Sequence, residues 1–131
     1  MSMEIHNVCI PISLGGTLAV GTSNIFGFWV PTDAVGGGIT VTRVAYSSDK
    51  AIAAASAPNF TLVSLGTNGA VNGTIASATG SAAFTAGTPR AGTISTAFVD
   101  ASYGVAVQWA QTAANADISY ITAAIQYQMG K

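Results

Sequence analysis

Charge is what this sequence has least of. Of its 131 residues only 7% are Asp, Glu, Lys or Arg, against 50% that are hydrophobic, where an ordinary soluble domain carries about 25% charged residues. The four cations, Arg43, Lys50, Arg90 and Lys131, are scattered, and the net charge is −1. Nucleic-acid binding draws on several phosphate contacts from one basic patch, so no nucleic-acid partner is expected, and a polybasic membrane site falls with it. No uninterrupted apolar run approaches the roughly 18 residues of a membrane-spanning helix. The opening stretch MSMEIHNVCIPISLGG carries Glu4 where an export signal has Lys or Arg, so synthesis in the cytoplasm without export is expected. Cys9 stands alone, which excludes an internal disulfide, and with the single histidine, His6, it makes half a metal site at best.

Catalytic groups are scarce for the same reason. A Ser-His-Asp arrangement would have to use His6, close to a terminus where order is least assured. The carboxylates are Glu4, Asp33, Asp49, Asp100 and Asp117. All but Glu4 fall at expected turns, which Asp favours through hydrogen bonds to its own backbone. The glycine runs LGGT and VGGGIT lack the lysine and the following helix of a phosphate-binding loop. Asn115 and Asp117 offer too few oxygens for calcium. The triplets Asn59-Phe60-Thr61 and Asn72-Gly73-Thr74 fit a glycosylation signal, but without export they read as Thr-rich strand. No catalytic residue, metal site or cofactor is expected.

What the chain does have is strand pattern. Turn signals recur roughly every 8 to 14 residues with no amphipathic helix between them, the mark of an all-β sandwich or barrel. About eight to ten strand candidates suit an antiparallel, jelly-roll-like β-sandwich. Residues 15–131 read as its single domain and residues 1–14 as an N-terminal arm or edge strand, interrupted by Pro11. The apolar hexamer IFGFWV, residues 25–30, reads as a buried strand with Gly27 allowing a bulge. Trp29 and Trp109 are expected in the core. In ITVTRVAY, residues 39–46, alternation sets Ile39, Val41, Arg43 and Ala45 opposite Thr40, Thr42, Val44 and Tyr46. AIAAASA, residues 51–57, has helical appetite but is equally a short strand. Gly66-Thr67-Asn68-Gly69 signals a tight hairpin, since Asn-Gly readily takes positive φ.

The most regular stretch is the last, YGVAVQWAQTAANADISYITAAIQYQM, residues 103–129. It reads as two long antiparallel strands joined at Gln111 to Ala116, a hairpin near the middle of the main sheet. Ile121, Ala123, Ile125, Tyr127 and Met129 share one face; Thr122, Ala124, Gln126 and Gln128 share the other.

The closing IQYQMGK, a strand running into Tyr-x-x-Gly, resembles that of small all-β proteins of tailed-bacteriophage particles, as do the few charges and the many Ala, Gly and Thr. The segment FWVPTDAVGGGITVTRVAY is similar to their opening sheet. The resemblance implies a virion structural protein: a capsid decoration (cement) protein on the phage head, or a module of a head or tail fibre, commonly trimeric. The expected partners are further copies of the chain, as a homo-oligomer, and the major capsid protein or another virion protein. Candidate interface residues are Ile5, Val8 and Ile10 in the arm and Tyr120, Gln126, Tyr127 and Gln128 in the last strand. The alternative is a carbohydrate- or receptor-binding fibre module that stacks exposed Tyr or Trp on a glycan.

Overall fold

The computed structural model describes residues 5–14, 21–53, 59–78, 83–111 and 120–130. The described chain is all-β. Its strands are β1 (His6–Leu14), β2 (Gly21–Trp29), β3 (Gly38–Ser48), β4 (Asn59–Leu65) and β5 (Val71–Ala78). After the short β6 (Arg90–Ala91), β7 (Thr93–Ile94) and β8 (Phe98–Asp100) come β9 (Gly104–Gln111) and β10 (Tyr120–Met129). They form two antiparallel sheets packed as a sandwich. The first runs β1-β10-β3-β6, with β8 also on β3; the second runs β2-β9-β4-β5-β7.

The closing hairpin does not form. β9 pairs with β2 and β4, whereas β10 pairs with β1 and β3, so the two strands sit in opposite sheets. Alternation reports that a strand buries one face, not which strand lies beside it. Each is nonetheless interior to its own sheet. The long neighbours that do form a hairpin are β4 and β5, around the turn seen in the sequence: the Gly69 N–H donates to Gly66 O at 2.8 Å, and Gly69 alone of the Asn-Gly pair has positive φ, +81°.

Bulges correct two further expectations. In β3 the register slips where Gln126 faces Arg43 and Tyr127 faces Val41, so Thr42 is the extra residue. The alternation changes phase there, and Ile39, Val41, Val44 and Tyr46 all enter the core, although an unbroken strand would set the first two opposite the last two. Gly27 sits at the corresponding slip in β2, as its sequence signalled. A Cβ there would strike the Ile10 side chain and come within 2.9 Å of Val105 O. Beyond this bulge Trp29 turns outward: it is 47% exposed, not a core residue. Trp109 is half-buried against the core, and Ile52 forms an isolated bridge with Phe84, while residues 54–58 lie outside the described residues.

From His6 onward, residues 1–14 are the edge strand of the first sheet, with Ile10 and Ile12 in the core. In the core Tyr46 stacks on Phe60 with centroids 5.1 Å apart, Phe84 meets Phe60 edge-on at 5.9 Å, and the Arg90 guanidinium lies 4.9 Å from the Phe84 centroid. At one end of the sandwich, the VGGG segment folds into a 3-10 turn in which Gly36 and Gly37 take φ of +77° and +82°. A Cβ on Gly36 would come within 2.6 Å of the Gly130 Cα, so these two glycines let the opening loop and the closing Tyr-x-x-Gly pack backbone to backbone.

Candidate binding surface

Among the described residues no group of three or more His, Cys, Asp or Glu could hold a metal ion. His6 and Cys9 are three apart on one strand and therefore on opposite faces. The His6 ring stacks on Tyr127 at 5.2 Å and Cys9 is exposed. Asp33 lies in a turn, Asp100 closes β8, and an Asp49 carboxylate oxygen accepts the Tyr120 N–H at 2.9 Å. Glu4, Asn115 and Asp117 lie outside the described residues. No described helix is long and apolar enough to cross a membrane. Burial pushes the Tyr46 phenol well up, and its hydroxyl has no hydrogen-bond partner among the described residues.

The remaining candidates are surfaces, and the two outer sheet faces differ. On the first sheet, strand register aligns Cys9, Ala124, Ala45 and Ala91 in a row of small side chains. Asn7, Gln126 and Arg43 form the row on one side of it; Pro11, Thr122 and Ser47 form the row on the other. A shallow depression of about 210 Å³ lies over the small row, rimmed by Asn7, Arg43, Pro89 and Gln126. Arg43 is the one charged side chain in these rows.

No residue of the second sheet's five strands is charged. Its outer face is ordered in three rows: Asn24, Gln108, Thr61 and Ser77; then Phe26, Ala106, Val63 and Thr74; then Trp29, Gly104, Leu65 and Val71. Val63, Leu65 and Ala106 are buried as a small cluster of their own, separate from the main core. The Trp29 indole lies over Gly104, where a Cβ would stand 3.0 Å from Cζ3 and 3.1 Å from Cε3. Phe26 is beside it, with centroids 5.4 Å apart and planes tilted 46°. A cleft of about 370 Å³ opens next to the indole between Pro31, Thr32, Thr67 and Ser102. Ser102 holds φ at +71°, the one positive φ outside glycine among the described residues, and its N–H donates to Val30 O at 3.0 Å.

The structure scatters the residues singled out in the sequence. Ile5 and Tyr120 are exposed, at 61% and 57%. Ile10 is 3% exposed and belongs to the core, because its inward position on β1 packs it against Gly27. Val8 faces inward opposite Ile125 and is half-buried. Tyr127 is held on the inner side between the His6 and Phe28 rings. Gln126 and Gln128 fall on the opposite, outer side. Sequence reasoning missed Phe26, Trp29 and Gly104; Gly27, read as a bulge, was the signal that the residues after it change face. The fold defines the chain as an antiparallel β-sandwich of two packed sheets. No family model, curated protein or solved structure matches it.

Proposed function

We propose that this chain is a non-enzymatic structural protein of a tailed-phage particle, a decoration subunit that works as a homo-oligomer, expected to be a trimer, and reinforces the head. The strand order supports a jelly roll: the long strands pass from sheet to sheet at β1–β2, β2–β3, β3–β4 and β9–β10, as two Greek keys require. The observation that carries the attachment reading is the first sheet's outer face. Rows of Ala, Thr and amide side chains cost little to desolvate, and the depression over Ala45 and Ala124 takes a protruding side chain of a partner. Arg43 on its rim suits a partner carboxylate or carbonyl. A permanent attachment would bury more than about 2,000 Å² in total.

Filling the depression tests this. Ala124 is exposed, so Ala124→Arg should fold normally yet lose co-sedimentation with phage heads. Heads that bind this variant as well as the unaltered chain would remove the first sheet from the interface.

A further inference from the structure

We infer that the outer face of the second sheet is a binding site for a neutral glycan, with Trp29 and Phe26 as its stacking platform. A large aromatic in an apolar run would ordinarily enter the core, yet Trp29 and Phe26 are 47% and 49% exposed. The indole is seated rather than loose. Gly104 leaves out the side chain that would lift it from the sheet, and Leu65 Cβ is 3.3 Å from the same point. One face of the ring is thereby held on the protein. The apolar C–H face of a pyranose stacks on such a ring, while its hydroxyls need amide and hydroxyl partners at the rim.

Both kinds of partner are placed. Asn24 and Gln108 stand opposite each other in the register row next to Phe26 and Ala106. On the far side of the platform, the cleft beside Trp29 is walled by Thr32, Thr67 and Ser102. An aromatic strip between two polar margins fits a chain of sugar rings rather than a single small solute. The absence of charge from all five strands selects the ligand class: sialylated, uronic or sulfated sugars find no cation on these strands, whereas a neutral hexose polymer loses nothing there. This site is separate from the first sheet's attachment face and goes beyond the structural role proposed above.

The test is isothermal titration of the full chain with cellohexaose, maltohexaose and mannohexaose, alongside a uronic-acid hexamer. At least one neutral hexasaccharide should bind, and the acidic one should not. Trp29→Ala should weaken binding at least tenfold, and Gly104→Ala, which displaces the indole without removing it, severalfold or more. Melting curves confirm that each variant is folded, and Gln108→Ala should weaken binding without touching the aromatic platform. Head co-sedimentation should be indifferent to Trp29→Ala, and glycan binding indifferent to Ala124→Arg, so either idea can fail alone. Absence of binding to all three neutral sugars at millimolar concentration overturns the inference. So does binding unchanged by Trp29→Ala, or a Trp29→Ala variant whose defect is a smaller oligomer in sedimentation, which would make the platform a contact between copies.

Discussion

The two sheets are alike inside and unlike outside. Ile25, Val107 and Leu62 cross the second sheet's inner face much as Val8, Ile125 and Val44 cross the first. Their outer faces diverge: small side chains, amides and one arginine on the first, and exposed aromatics over a glycine on the second. Inner faces answer to the shared core and converge on the same residue types. Outer faces are released from that demand, so their difference carries the functional information.

The largest expected effect probes the likeness. Leu62→Ala in the second sheet and Ile125→Ala in the first should each cost about 2–5 kcal/mol in urea unfolding. A value near zero for either would show that its sheet does not share the core. Next, Gly36→Ala, which forces a side chain into a positive-φ position and against Gly130, should cost at least about 1–2 kcal/mol; unchanged stability would separate the end loops from the fold.

Tyr46 spans the two sheets through its stack on Phe60, and its hydroxyl, without a partner among the described residues, gives a smaller effect. Tyr46→Phe should be neutral or stabilising by about 1 kcal/mol, since it removes a buried, unsatisfied polar group. The folded phenol holds its proton more tightly than the unfolded one. Its contribution is therefore intact below the ordinary tyrosine value of 10.0 and is lost as pH rises above that value. The alkaline limb of a stability–pH profile should flatten in Tyr46→Phe, and an identical limb would show that Tyr46 does not govern it. The smallest expected effects on stability belong to the outer faces: Ala124→Arg and Val71→Lys should both stay within about 0.5 kcal/mol. A larger loss in either would mean that the face is structural and the contrast between the sheets false.

Much of the fold was legible in the chain because strands leave a local record. Alternation at Ile121, Ala123 and Ile125 marked the inward face of β10, and the Gly66–Gly69 segment marked the hairpin of β4 and β5. The candidate contacts were less legible. Ile10 looked like an arm residue because nothing local announces that β10 lies alongside it. Trp29 looked like core because IFGFWV is apolar throughout, and only the bulge at Gly27 turns its ring outward over Gly104, a residue far along the chain.

The sequence by itself determined the class of fold, the poverty of charge and the positions of most turns, since these follow from composition and from contacts between near neighbours. Tertiary structure alone decided that β9 and β10 part into opposite sheets, that a bulge at Thr42 brings four β3 side chains into one core, and that Trp29 rests on Gly104. Those outcomes depend on which distant strands pair and in what register. The free energy that chooses them is burial shared across the whole sandwich, which no single segment records.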